Sequence, residues 1–177
     1  MRARAAEILD THRAGCQAHD LEIGFAYEAG AVIDDGSEPP FRVPLRDFYY
    51  PTTRPGHVLP HAWIERDGLR LSTHDLTGTV TGFTLLTGSA GTPWCEAAAQ
   101  VAEKFSIPIA AVRIGAGAEY ADVEGRWAAV REITDEGAIL VRADNHIAWR
   151  SLGGDGNPGD VLANVVSRIL DYNAGLG

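Results

Sequence analysis

Six residues, Gly82-Phe83-Thr84-Leu85-Leu86-Thr87, constrain this chain more than any others, because so apolar a run belongs at a central, buried position of a sheet. Gly88-Ser89-Ala90-Gly91 follows, and then a helix opens with Thr92 as the expected N-cap and Pro93 in its first turn. Within that helix Trp94, Ala97, Ala98, Val101 and Phe105 share one face. Ile107 to Ile114 reads as the next strand. The unit is strand–helix–strand, and its two strands are expected to run parallel.

Two hairpins flank this unit. Ala62 to Ile64 and Leu69 to Ser72 surround the turn signal Asp67-Gly68. After a loop-rich stretch containing Trp127, Ala138 to Val141 and Ile147 to Trp149 surround Asp144-Asn145. A last helix follows Pro158-Gly159-Asp160 and turns Val161, Leu162, Val165, Val166, Ile169 and Leu170 toward the sheet. The order βαβ, hairpin, helix predicts a thioredoxin-like α/β domain of three layers over residues 62–177, a central mixed sheet flanked by helices.

The upstream sequence has a different character. Residues 1–19 predict an amphipathic helix, with Ala5, Ile8, Leu9, His12 and Cys16 at helical spacing, whose apolar face needs a partner surface. In residues 20–61, Pro39, Pro40, Pro44, Pro51, Pro55 and Pro60 break regular structure, and Asp34-Asp35-Gly36-Ser37 is a turn signal. Phe41, Phe48, Tyr49 and Tyr50 make the segment too aromatic for a free linker. It reads as an extended arm that buries rings along its path, with a disordered tail as the alternative.

A net charge of −9 leaves no surplus of cations to neutralise phosphates, which argues against nucleic acid as a partner. No stretch approaches the roughly 18 apolar residues of a membrane span. Met1-Arg2-Ala3-Arg4-Ala5-Ala6-Glu7 is followed by no signal-peptide core, so the expected compartment is the cytoplasm. Cys16 and Cys95 lie too far apart to suggest a disulfide framework or a cysteine metal cluster.

From Tyr50-Pro51-Thr52-Thr53-Arg54-Pro55-Gly56-His57-Val58-Leu59-Pro60-His61-Ala62-Trp63 onward the sequence resembles a known family. It is similar to the carboxy-terminal part of class A flavoprotein aromatic hydroxylases, in the branch of 2,4-dichlorophenol 6-monooxygenase and the polyketide hydroxylases. Asp75-Leu76 with Gly82 to Leu86, Gly137 to Asp144 and His146 to Arg150 continue the likeness, and Leu21 to Gly24 with Val32 to Gly36 extend it upstream. The resemblance implies an enzyme of three parts. Flavin and substrate domains perform the chemistry with FAD and NAD(P)H, and a thioredoxin-like terminal domain packs against them. Only the last part and the segment leading into it are matched. Gly115-Ala116-Gly117 lacks the third glycine and helix start of a dinucleotide cradle and reads as a turn, so no cofactor is expected in this chain.

The residues that carry chemistry are few. Trp94-Cys95 stands where thioredoxins carry W-C-x-x-C, and a helix N-terminus lowers a thiol pKa. Here the second cysteine position is Ala98, Glu96 opposes a thiolate, and neither Gly137 nor Ala138 supplies the sheet-side proline. Cys95 therefore reads as a half-buried remnant, with a working thiol as the alternative. His57 and His61 have a zinc-like spacing, but Pro55 and Pro60 exclude a helix and no third ligand is near, so no metal site is expected. These residues read as hydrogen-bonding at the joint between arm and domain, with Arg54 paired with a carboxylate; by resemblance, Arg54, His57, His61 and Trp63 are also candidates for an interdomain contact. Asp122, Glu124, Asp135 and Glu136 read as solvated loop charge, and Ser72 and Ser89 lack a nucleophile context.

The expected function is a non-catalytic module for packing or oligomerisation, partnered by a second copy of itself or by a flavin-bearing domain. Two alternatives stand beside it: a working part of an FAD- and NAD(P)H-dependent monooxygenase with a separate flavin subunit, and a single-cysteine redox protein.

Overall fold

The apolar run lies where its composition requires, in the interior of a four-stranded sheet. The computed structural model describes residues 22–40, 49–78, 82–154 and 156–174. The expected helix over 1–19 and the rings of Phe41 and Phe48 lie outside the described residues. The elements are β1 (Trp63–Arg66), β2 (Leu69–Ser72), a 3-10 turn (Thr73–Leu76), β3 (Phe83–Thr87), α1 (Thr92–Phe105), β4 (Ile109–Arg113), α2 (Arg126–Val130), β5 (Ala138–Arg142), β6 (Ile147–Ser151) and α3 (Pro158–Ala174). β3 and β4 are parallel; β5 is antiparallel to β3, and β6 to β5. This is the expected thioredoxin-like order, βαβ first and the antiparallel pair last.

Strand alternation divides the core into two halves. Leu85, Ala138 and Leu140 point toward α1 and α3, where they meet Trp94, Ala98, Val101, Leu162, Val166 and Ile169. Leu86, Ile139 and Val141 point the opposite way and pack with Leu59, Ile64, Leu76 and Trp127. The second half is roofed by the β1–β2 hairpin, whose turn residues Asp67 and Gly68 both have positive φ, 52° and 78°. That is the geometry a two-residue hairpin needs to match strand twist.

Helix α1 begins one residue earlier than expected. Its N-cap is Gly91, which makes no side-chain cap, and Thr92 and Pro93 are already helical. The reason is steric: a Cβ on Gly91 would come within 1.9 Å of Thr87 Oγ1. The helix is thus drawn close against the end of β3, and Thr87 Oγ1 donates to the Gly137 carbonyl at 2.5 Å. The stretch around Trp127 is also more ordered than its sequence suggests. Asp122 accepts from the Trp127 and Ala128 amides and nucleates the short α2, which buries the indole.

One irregularity decides what β6 presents. Leu140 pairs with Trp149, but Val141 pairs with Ile147, leaving Ala148 as the extra residue of a β-bulge. An extra residue reverses the inside–outside alternation beyond it. Ile147 joins the hairpin-side core, Trp149 reaches the helix side against Trp94, and Arg150, opposite Ile139, returns to the hairpin side.

The outer edge of β6 is covered by the arm. Gly56 N donates to Ile147 O, Ile147 N to His57 O and Leu59 N to Asn145 O, while Ile33 N donates to Ala148 O. An edge strand that would otherwise expose its backbone is sealed in this way. Residues 52–60 are mostly buried. The two passes of the arm cross at Gly56: Tyr27 N donates to its carbonyl, and with φ +88° a Cβ there would meet Tyr27 O at 2.1 Å. Burial also pushes the Tyr49 phenol up to about 12, consistent with a ring covered along the arm's path.

Candidate functional site

A charged residue in a strand as apolar as Ile147-Ala148-Trp149 needs partners, and Arg150 has them on every side. Its residue is 8% exposed. Nε donates to Asp35 at 2.6 Å, Nη1 to Glu132 at 2.7 Å and to Thr53 Oγ1 at 3.0 Å, and Nη2 to Ser37 Oγ at 3.1 Å. Asp35 and Ser37 come from the first pass of the arm, Thr53 from the second, and Glu132 from the loop after α2. Glu132, whose φ of 51° turns the chain there, also accepts from the Thr52 hydroxyl and the Thr53 amide, both at 2.8 Å. Three segments therefore converge on a guanidinium carried by a fourth.

The electrostatics follow from this geometry. Burial alone would raise the Asp35 carboxyl, but the Ser37 hydroxyl and amide, together with Arg150, hold it below its ordinary value. Burial opposes ionisation of Glu132 in the same way, and Thr52, Thr53 and Arg150 outweigh it. Both groups are accordingly held as carboxylates, as a buried guanidinium requires.

Arg54 extends the same joint. Its Nε donates to the Ser37 carbonyl at 2.8 Å and its Nη2 to Asp34 at 3.2 Å, so the expected carboxylate pairing lies within the arm. His57 is buried on the β6 edge. His61 and Trp63 are displayed elsewhere: the His61 ring stands edge-on to the Trp63 indole at 4.8 Å, its Nδ1 lies 2.7 Å from Ser72 Oγ, and Arg70 covers the indole. The four residues singled out together thus divide into two inner ones and two outer ones. Among the described residues, no three of His, Cys, Asp and Glu are grouped to hold a metal ion.

Cys95 lies in the first turns of α1, half-buried. Burial pushes its thiol up, Glu119 and then Glu96 add to the rise, and Arg113 opposes it. Arg113 bonds Glu119 and Thr92 instead. A cleft of about 370 Å³ opens beside the same helix end, lined by Pro93, Trp94, Glu136, Gly154 and Pro158, but Cys95 does not line it. Trp94 Nε1 donates to the Glu136 carbonyl across its floor. The Gly115-to-Gly117 segment is a tight turn in which Gly115 N donates to Tyr120 O and Ala118 N to Gly115 O.

The acidic residues hold structure. Asp122 caps α2, Glu124 pairs with Arg70, and Asp135 pairs with Arg131 at 2.8 Å. Ser72 caps the 3-10 turn reciprocally with Asp75. Sequence reasoning did not single out Arg150, Asp35 or Glu132 as a group. The one local signal was an arginine closing an apolar strand.

A model of the family described as aromatic-ring hydroxylase, C-terminal, matches residues 52–172. The chain is 39% identical over 173 residues to the 2,4-dichlorophenol 6-monooxygenase of Delftia acidovorans, which covers 97% of this chain and 29% of that protein. It is 36% identical over 149 residues to the aklavinone 12-hydroxylase RdmE of Streptomyces purpurascens, covering 84% and 26%. Among solved structures, the flavin-dependent monooxygenase PieE in complex with FAD and substrate superposes with a TM-score of 0.82 at 40% identity, over 96% of this chain and 29% of that one. An aklavinone-11 hydroxylase in ternary complex with FAD and aklavinone gives 0.75 at 36% identity, over 86% and 27%. The chain spans under a third of the length of these relatives.

Proposed function

The chain belongs to the family of aromatic-ring hydroxylase C-terminal domains, and on that premise we propose that it is a non-catalytic thioredoxin-like module that packs against the flavin-bearing part of an FAD-dependent aromatic hydroxylase. The observation that supports this reading is the Arg150 joint. Its guanidinium bonds Asp35, Ser37, Thr53 and Glu132, which fasten the arm to the sheet. The most elaborate polar constellation described in the chain therefore serves architecture. On this reading the module contributes a fixed surface to a longer hydroxylase, and the flavin chemistry belongs to the part that this chain does not match. Packing against a second copy is the other arrangement the module's surface would serve.

Absorbance across the visible flavin bands tests this reading, with the purified protein alone and after titration with FAD. The expected result is no flavin band from the protein alone and unshifted free-flavin absorbance after FAD is added, with no retained colour after gel filtration. Tight FAD binding by this chain would overturn it and make the chain a working part of the monooxygenase.

The thiol reading is opposed by the environment of Cys95, where burial and two carboxylates disfavour the thiolate that redox exchange needs. Alkylation of Cys95 is expected to be slow near neutral pH in the folded protein and fast after denaturation. Rapid alkylation of the native protein at neutral pH would restore the redox alternative.

A further inference from the structure

The arm has two sides with opposite character. Its inner side is fixed by the Arg150 joint and by backbone bonds to β6. Its outer side carries Ile23, Phe25 and Tyr27 at alternating positions, 41%, 36% and 41% exposed, and Tyr50 at 46%. The rings are ordered: Phe25 stands edge-on to Tyr27 at 5.5 Å, Tyr27 packs on His146 at 4.8 Å, and the Arg142 guanidinium lies 5.0 Å from the Tyr27 centroid. Half-exposed aromatics beside an arginine are the composition of an interface centre, where Tyr and Arg are over-represented. Fixing an extended segment with a buried ion pair contributes position more than net stability, because desolvation offsets much of the attraction. Position matters when the outer side has something to meet.

We propose that the outer side of the arm, centred on Phe25 and Tyr27, is the surface on which the flavin-bearing part of the hydroxylase docks. Three observations select that occupant. The matched family is the carboxy-terminal part of its hydroxylases, so in the relatives the remaining seven-tenths of the chain joins on the arm side. The likeness to the PieE monooxygenase extends over 96% of this chain, which takes in most of the arm as well as the sheet, in a protein that contains the remainder. Of the exposed large apolar side chains in the described residues, half lie in the arm. The inference rests on the functional reading above and goes further by naming the surface.

The test is a chimera in which this chain replaces the matching segment of the Delftia acidovorans 2,4-dichlorophenol 6-monooxygenase. Three forms are compared: the parent chimera, Phe25→Asp with Tyr27→Asp, and Leu69→Asp at the exposed hairpin tip as a control. Thermal melting of the same variants in the isolated 177-residue chain shows whether each still folds, and hydrogen exchange compares residues 22–28 in the two settings. The expected result is that the double variant loses at least about tenfold in turnover of 2,4-dichlorophenol, or separates its domains on heating. Its isolated module should melt near the parent, the control should match the parent chimera, and residues 22–28 should exchange more slowly in the chimera than alone. Unchanged turnover and equal exchange at residues 22–28 would overturn the docking surface and leave the functional reading intact. A parent chimera that neither retains FAD nor turns over substrate would count against the functional reading itself, and the docking surface would fall with it.

Discussion

Arg150 is the residue whose removal has the most to reveal. Methionine keeps the aliphatic stem but deletes the charge, leaving Asp35 and Glu132 facing one another around an emptied centre. We expect Arg150→Met to cost about 3 kcal/mol near neutral pH by urea denaturation. Asp35, the better covered of the two carboxylates, carries the larger share, since solvent screens Glu132 on its open side. The pH dependence has a definite sign. Both carboxyls sit below their ordinary values when folded and return to about 4 when the chain unfolds. The folded state thus binds fewer protons, and the stabilisation is complete above that range. It fades as pH falls through the ordinary carboxylate values and is lost below the depressed ones. The parent and Arg150→Met curves should therefore stand apart near pH 7 and converge as pH falls below the ordinary carboxylate range. Curves that stay parallel would show that Arg150 does not hold these carboxylates.

At the scale of elements, the Ala148 bulge is the feature with the sharpest consequence. Deleting Ala148 should leave a regular ladder in which Trp149 stays opposite Leu140 and Arg150 opposite Ile139, at the loss of the Ile33 N to Ala148 O bond from the arm. The expected outcome is a cooperative transition, read by circular dichroism, at lower stability than the parent, with Ala148→Gly nearer to the parent. Loss of the cooperative transition in the deletion would show that the extra residue itself, and not the pairing on either side of it, holds the strand in place. Much of the element pattern was legible beforehand. β3, α1 and β4 announce themselves through a buried run, a helical face and a following strand, and Asp67-Gly68 carries its turn in two residues. The bulge was not legible, because Ile147-Ala148-Trp149 is apolar on every residue and shows no alternation to break. Nor was the Arg150 joint, whose partners Asp35 and Thr53 lie 115 and 97 residues away. The start of α1 misled for a related reason: Thr92 is the better cap by chemistry, but the close approach of Gly91 to Thr87 decides the geometry.

For the molecule as a whole, the arm behaves as part of the sheet's construction. A fragment of residues 62–177 should uncover the β6 edge, remove Leu59 from the hairpin-side core and strip Arg150 of three of its four partners. We expect it to aggregate, or to bind a hydrophobic dye, under conditions where the full chain does neither. A soluble, cooperatively melting fragment would show the arm to be dispensable. The crossing at Gly56 also bears on how such a chain is made. Gly56 and Ile147, which bond directly, are 91 positions apart (147 − 56), and the arm is the earlier of the two to be translated. At ribosomal speeds of about 5–20 residues per second, it emerges roughly 5–20 s before the strand it seals exists. The arm can settle on β6 only after that, so an early-made part of the described chain waits for a later one. For that interval the backbone groups of Gly56, His57 and Leu59 have no strand to pair with.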